Sequence, residues 1–97
     1  MWKKILPKPV VSALTGGEPA GSDIWLVGGA VRDHFLERET FDFDFAVSQG
    51  SRKLARRTAD RLGAAYFDLD RERDTGRVVD TSGARDWRSL DFARLRG

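Results

Sequence analysis

The spacing of apolar and polar positions predicts strands and helices in alternation. A continuous apolar run over residues 24–27 suits a short strand that is buried on both faces, with Trp25 in the core. Residues 41–47 alternate strictly between apolar and polar from Phe41 to Phe45, which is the period of a strand with one buried face. Between these strands, residues 30–36 have the pattern of a short helix.

The second half of the chain continues the same pattern. Residues 51–62 form an amphipathic helix that Gly63 ends. The apolar stripe of this helix consists of Leu54, Ala55, Ala59 and Leu62. Turn-forming residues then separate three more strand candidates, over residues 65–69, 77–81 and 89–95. The order strand-helix-strand-helix-strand-strand-strand predicts an α/β fold with a mixed β-sheet and flanking helices.

The ends of the chain set the expected domain limits. Residues 1–22 form a lead-in segment, in which residues 10–14 fit one or two helical turns and the glycines of residues 16–22 break the pattern. Residues 23–97 form a single small domain. Because the chain stops at Gly97, where a strand ends, we expect a fragment of a longer protein.

Composition narrows the functional classes. At 40% hydrophobic and 33% charged residues, the chain is globular, and it has no run approaching the roughly 18 apolar residues of a membrane span. It contains no cysteine, which excludes disulfides and thiolate metal sites and fits the cytoplasm. A net charge of +2 is too small to indicate by itself that the protein binds a polyanion. The arginine-rich helix over residues 51–62 either contacts RNA phosphates or is a solvated helix face.

Two glycines after the first strand are candidates for binding phosphate. Gly28 and Gly29 open a helix, where unpaired backbone N–H groups and the absence of side chains allow an anion to come close. One turn later, Arg32 can add a planar charged ligand for a phosphate or a ribose. A tight strand-to-helix turn is the alternative interpretation of the pair.

Two aspartates on the second strand are candidates for binding metal. Asp42 and Asp44 share the face opposite the phenylalanines, so their like charges repel unless a cation lies between them. Mg²⁺ prefers a few carboxylates together with substrate phosphates, and Mn²⁺ could replace it. The alternative is an exposed strand with solvated aspartates.

A third carboxylate is expected beside this pair. If the last strand lies next to the second, Leu90 and Phe92 share the core face and Asp91 joins Asp42 and Asp44. Such a group of three carboxylates suits a two-metal transfer site. The alternative is that Asp91 is an ordinary exposed strand residue, because the register cannot be derived from the sequence.

The combined motif resembles that of a known enzyme family. Gly-Gly-Ala-Val-Arg-Asp from Gly28, followed by Asp-Phe-Asp-Phe-Ala from Asp42, is similar to the signature of class II tRNA nucleotidyltransferases (CCA-adding enzymes) and bacterial poly(A) polymerases. These enzymes belong to the DNA polymerase β-like nucleotidyltransferase superfamily. The resemblance is strong over residues 24–47 and looser through residues 67–70, 77–79 and 90–94. It implies that the domain is the N-terminal head, or palm, of such an enzyme.

The resemblance also implies roles for individual residues and a reaction. Gly28 and Gly29 would close over the incoming triphosphate, and Arg32 would contact the nucleotide. Asp42 and Asp44 would bind the metal, with Asp91 as the third acidic position; these three are the catalytic candidates. The implied reaction is a template-independent, metal-dependent transfer of a nucleotide from ATP or CTP to an RNA 3′ end, with tRNA as the expected RNA.

Departures from the family pattern limit these expectations. The helix is followed by Leu36-Glu37-Arg38, where the family has Leu-Gly-Arg. The Arg-Arg-Asp-Phe-Thr motif and the base-selecting neck would lie after residue 97, so we expect the chain alone to be inactive. CCA addition, partial CCA addition, poly(A) addition and the oligomeric state stay open.

Two other functional classes are alternatives. A non-catalytic nucleotide-binding module of the same fold could have lost either Asp42 or Asp44, and both are present. A dinucleotide-binding domain would need Gly-x-Gly-x-x-Gly after the first strand, and this chain lacks that motif.

Overall fold

The computed structural model describes residues 5–15 and 23–95 of the chain. The elements in chain order are α1 (Lys8–Thr15), β1 (Ile24–Val27), α2 (Gly29–Phe35), β2 (Asp42–Val47), α3 (Ser51–Leu62), β3 (Ala65–Asp70), β4 (Thr75–Val79) and β5 (Ser89–Arg94). The predicted order of strands and helices is confirmed. The predicted break over residues 16–22 lies outside the described residues. Within the described residues, no helix is long and apolar enough to cross a membrane.

The strands form one five-stranded sheet in the order β1-β2-β5-β4-β3. Strands β2 and β5 run parallel, whereas every other neighbouring pair is antiparallel, so the predicted mixed sheet is confirmed. A parallel pair requires a crossover, and α3, β3 and β4 provide it. The two strands that carry the predicted catalytic aspartates are therefore neighbours.

The core lies on one face of the sheet. Strand β2 contributes Phe43, Phe45 and Val47, all of which are buried, as the period-two pattern predicts. Leu90 and Phe92 of β5 lie beside them, and the rings of Phe45 and Phe92 stack with their centroids 4.9 Å apart. Burial of these side chains fixes the register of both strands, because a slip of one residue would move every apolar side chain to the opposite face.

Helices α1 and α3 pack on this core face. The buried side chains of α3 include Leu54, Ala55 and Ala59, as the amphipathic pattern predicts, and Gly63 ends the helix in the left-handed conformation. Helix α1 buries Val10, Ala13 and Leu14. With the helices packed on the core face, the aspartates of β2 lie on the opposite, exposed side of the sheet.

Strand β1 differs from its prediction. Trp25 and Val27 are 42% and 39% exposed, so the prediction that the strand is buried on both faces, with Trp25 in the core, is wrong. The reason is topological. Strand β1 is an edge strand with β2 as its neighbour, and its second face belongs to the exposed side of the sheet. An apolar run of four residues does not reveal whether a helix covers that face.

Candidate active site

The parallel register of β2 and β5 gathers the predicted aspartates on one face. Asp44 is paired with Asp91, and Asp42 is paired with Ser89. The neighbours Phe43 and Leu90 are buried, so alternation directs the carboxylates to the exposed face. The strand arrangement that was predicted for Asp91 is therefore confirmed.

Gly28 lies directly against the Asp44 carboxylate. Its φ of 77° and ψ of −150° fall in a region of backbone conformations that is essentially restricted to glycine. A Cβ atom at this position would lie 3.2 Å from Oδ2 of Asp44, closer than most real contacts of a Cβ atom. The absence of a side chain at residue 28 therefore lets the turn between β1 and α2 approach the carboxylate this closely without displacing it.

Gly29 and Arg32 of α2 lie next to the Gly28 turn. Gly29 is the first residue of α2, and a Cβ atom on it would lie 3.5 Å from Nη2 of Arg32. The guanidinium group therefore lies over the glycine. The Arg32 side chain is 70% exposed, and its contact with Asp33 is long, at 3.7 Å, so it is accessible to an anion.

Arg88 and Ser89 bind the first aspartate. Arg88 donates from Nε to Oδ1 of Asp42 at 3.0 Å and from Nη2 to Oδ2, and Ser89 donates from Oγ to Oδ1 at 2.8 Å. The hydrogen bonds from Arg88 lower the pKa of Asp42. Asp42 is therefore a stable anion, but both of its carboxylate oxygens already have a donor.

Arg77 binds the third aspartate in the same bidentate way. Arg77 on β4 is the cross-strand partner of Asp91 on β5. Its Nε and Nη2 donate to the two oxygens of Asp91 at 2.7 and 2.9 Å. Two parallel charge-assisted hydrogen bonds fix the orientation of this carboxylate.

Asp44 has a different electrostatic environment. Burial raises its pKa, and the charges of Asp91 and Asp42 raise it further. Among the described residues, no arginine binds Asp44 as Arg88 binds Asp42. A divalent cation beside Asp44 would relieve this repulsion, so the chemistry of the site fits a hard metal ion with oxygen ligands.

The three carboxylates do not, however, form a ready metal site. Within the part of the chain that the structure describes, no three acidic or histidine side chains are grouped so that they could hold a metal ion. Asp42 and Asp91 are instead bound to Arg88 and Arg77. The metal-binding roles of Asp42 and Asp44, and the third position of Asp91, stay predictions.

Arg77, Arg88 and Ser89 are site residues that the sequence analysis missed. Arg77 lies between the buried residues Gly76 and Val78, so alternation could have placed it on the exposed face of a strand. That Arg77 pairs with Asp91, however, follows only from β4 and β5 being neighbours in the sheet. An open depression of about 450 Å³ adjoins these residues and is lined by Asp42, Arg77, Val79, Arg88, Ser89 and Asp91.

The arginine-rich face of α3 is partly committed to packing. Arg52 binds Asp74 at 3.0 Å, and the Arg56 guanidinium lies 5.0 Å from the centre of the Tyr66 ring. These contacts join α3 to β3 and to the turn that precedes β4. They favour the interpretation of a structural, solvated helix face over that of a dedicated RNA surface.

Comparison with protein families gives a match over most of the chain. The family model described as the poly(A) polymerase head domain matches residues 24–97. This segment contains all six predicted site residues.

Individual relatives agree with this match. A CC-adding tRNA nucleotidyltransferase of Geobacter sulfurreducens is 42% identical over 93 residues, which is 95% of this chain and 20% of the relative. A tRNA nucleotidyltransferase solved with a primer tRNA and an incoming ATP analog is 32% identical, with a TM-score of 0.65 over 78% of this chain and 20% of that one. A CCA-adding enzyme solved with ATP superposes over 98% of this chain and 23% of its own, with a TM-score of 0.75 at 19% identity, which shows the fold alone. The chain therefore spans about a fifth of the length of the curated relative.

Proposed function

Because the chain belongs to the poly(A) polymerase head-domain family, we propose that it is the catalytic head of a template-independent RNA nucleotidyltransferase. The acceptor would be a tRNA 3′ end in the cytoplasm, and the donor would be CTP or ATP. The CC-adding relative favours CTP as the donor. One observation carries the proposal: the Gly28 turn lies against Asp44, on the face that also holds Asp42 and Asp91.

Each predicted site residue has a role in this reaction. Gly28, Gly29 and Arg32 bind the triphosphate, since the turn has no side chain that would keep phosphate oxygens away from its backbone. Asp42 and Asp44 would hold Mg²⁺ or Mn²⁺, and Asp91 is the third carboxylate. When bound, the metal supplies Lewis-acid stabilisation of negative charge on the phosphates. The RNA 3′-hydroxyl gives up its proton to water as its oxygen forms a bond to the α-phosphorus, and the bond from this phosphorus to the oxygen shared with the β-phosphate breaks, so that pyrophosphate leaves.

Calorimetry on the chain tests the binding part of the proposal. CTP and ATP are titrated with Mg²⁺ and with EDTA against the unmodified chain, Asp42→Ala and Asp44→Ala. We expect weak binding whose Mg²⁺-dependent part is lost in both variants. Asp70→Ala is the matched control, since it removes a half-exposed aspartate at the end of β3 that is also paired with an arginine. Equal Mg²⁺-dependent binding by all four proteins would remove the metal assignment.

Nucleotide incorporation tests the catalytic part. We expect the 97-residue chain to transfer no nucleotide to tRNA by itself, since it spans about a fifth of its curated relative. A chimera in which residues 23–97 replace the matching segment of that relative should incorporate labelled CTP, and the same chimera with Asp44→Ala should not. If the chain binds CTP with Mg²⁺ but the folded chimera is inactive, the head is a nucleotide-binding module that does not catalyse transfer.

A further inference from the structure

The depression beside the carboxylates lies on the opposite side of the site from the glycine turn. Gly28 follows β1 and contacts Asp44 on β2, whereas Arg77 and Val79 belong to β4, on the far side of β5. The sheet order β1-β2-β5-β4 separates the two places. A triphosphate on the glycine turn therefore leaves the depression open to a second reactant.

Arg88 can change its partner without any movement of the backbone. Its backbone N–H donates to the carbonyl oxygen of Phe41 at 2.7 Å, and its carbonyl oxygen accepts from the N–H of Asp80 at 2.9 Å. The preceding residue, Trp87, is buried in the core. The Arg88 side chain itself is 70% exposed. The backbone is thus fixed, whereas the exposed guanidinium group is held by its hydrogen bonds to Asp42 and could turn within the depression once these are broken.

Loading of the site with metal changes the charge that surrounds Arg88. The three carboxylates and the two guanidinium groups of Arg77 and Arg88 carry one net negative charge. Two divalent ions, the number that phosphoryl-transfer sites of this kind use, would reverse that sign until the triphosphate, which is itself strongly negative, binds. Both side chains of the Arg88–Asp42 pair are exposed, so solvent weakens their attraction and a divalent ion can compete with Arg88 for the carboxylate. A divalent ion on Asp42 would leave the Arg88 guanidinium group without its carboxylate partner, in the same depression as Arg77.

We propose that the depression between β4 and β5 binds the terminal phosphodiester of the acceptor RNA, and that Arg88 leaves Asp42 to bind this phosphate. The proposal rests on the proposed function, because it assigns a place to the second substrate of that reaction. A guanidinium group offers the planar, paired donors that suit phosphate oxygens. Arg77 stays bound to Asp91 and adds positive charge, and Val79 gives the ribose an apolar surface.

The test compares Arg88→Ala with Arg73→Ala on the 97-residue chain. Both arginines are exposed, at 70% and 66%, and both pair with an aspartate, but Arg73 lies in the turn after β3. The probes are a single-stranded RNA trinucleotide with a free 3′-hydroxyl, CTP and inorganic phosphate, each with Mg²⁺ and with EDTA. Binding is measured by calorimetry, and the arginine Nε–H signals are followed by NMR.

The expected result separates the two substrates. Mg²⁺ should shift the Nε–H signal of Arg88, and the trinucleotide should shift it further. Arg88→Ala should weaken trinucleotide binding about tenfold, which is the size expected for lost hydrogen bonds to a charged group, and should not weaken CTP binding. Arg73→Ala should leave both affinities unchanged. Inorganic phosphate, as the simplest anion, should shift the Arg88 signal only when Mg²⁺ is present.

Other results would overturn the inference, and each has a distinct meaning. If Arg88→Ala weakens CTP binding and spares the trinucleotide, the depression belongs to the nucleotide. If it changes neither affinity, or if Mg²⁺ leaves the Arg88 signal in place, Arg88 is a fixed partner of Asp42. Absence of Mg²⁺-dependent CTP binding in the unmodified chain would instead contradict the proposed function itself.

Discussion

Gly28→Ala is the substitution whose effect follows most directly from the geometry. The backbone at residue 28 has φ 77° and ψ −150°, and a side chain in that region costs about 1–3 kcal/mol. The new Cβ atom would lie 3.2 Å from Oδ2 of Asp44, so the carboxylate must move by a few tenths of an ångström. For a domain of this size, each 1 kcal/mol lowers Tm by about 4–8 °C. We therefore expect Tm to fall by about 5–20 °C and Mg²⁺-dependent CTP binding to be lost.

Gly50→Ala is the matched control for this substitution. Gly50 also has a positive φ, 68° with ψ 37°, but a Cβ atom there would meet nothing within 4 Å. We expect a loss of about 1–2 kcal/mol from the left-handed backbone alone, with CTP binding intact. Thermal unfolding gives the stabilities, and calorimetry below both Tm values gives the affinities. If Gly28→Ala binds CTP as well as Gly50→Ala does, the turn does not position Asp44, and the reasoning is refuted.

Three further substitutions test the electrostatics and the core. Burial, and then repulsion by Asp91, raise the pKa of Asp44 in the folded state, so ionisation of this carboxyl group lowers stability as pH rises through that pKa. We therefore expect Asp44→Asn to raise Tm at pH 7, and we expect the difference in Tm to vanish in acid. Hydrogen bonds from Ser82 lower the pKa of Asp80 from 3.8 to about 2. The stability that Asp80 contributes is therefore complete above pH 3.8 and is lost as pH falls through 2. In urea unfolding, we expect the stability of Asp80→Asn to lack this pH dependence. Leu90→Ala empties a fully buried position and should lower the free energy of unfolding by about 2–5 kcal/mol, with the denaturant slope unchanged.

The sequence was sufficient where a local pattern determines the structure. The alternation around Asp42 and Asp44 predicts which face of β2 is buried, because a strand directs successive side chains to opposite faces. The amphipathic spacing and Gly63 likewise predict α3 with its observed bounds. The face on which Asp91 lies could be inferred, because burial of Phe92 directs Asp91 to the opposite side of β5, whereas the pairing of Asp91 with Asp44 is supplied by the structure.

The sequence was insufficient where a contact depends on how distant segments meet. Trp25 lies in an apolar run, but its exposure depends on β1 being at an edge of the sheet. The pairs Arg88–Asp42 and Arg77–Asp91 span 46 and 14 residues, and no local pattern announces either of them. For the same reason, the sequence places three aspartates together but does not reveal that two of them are bound to arginines.

Anomalous diffraction from crystals of the chain soaked with Mn²⁺ and CTP tests the central claim most directly. Mn²⁺ prefers the same oxygen ligands as Mg²⁺, and its anomalous scattering gives its position in the crystal. The expected result is a Mn²⁺ peak bonded to the carboxylates of Asp42 and Asp44, with Arg88 displaced from Asp42 and the triphosphate against Gly28 and Gly29. A triphosphate bound elsewhere, or a Mn²⁺ peak elsewhere with Arg88 still on Asp42, would contradict the assignment of this face as a nucleotidyl-transfer site.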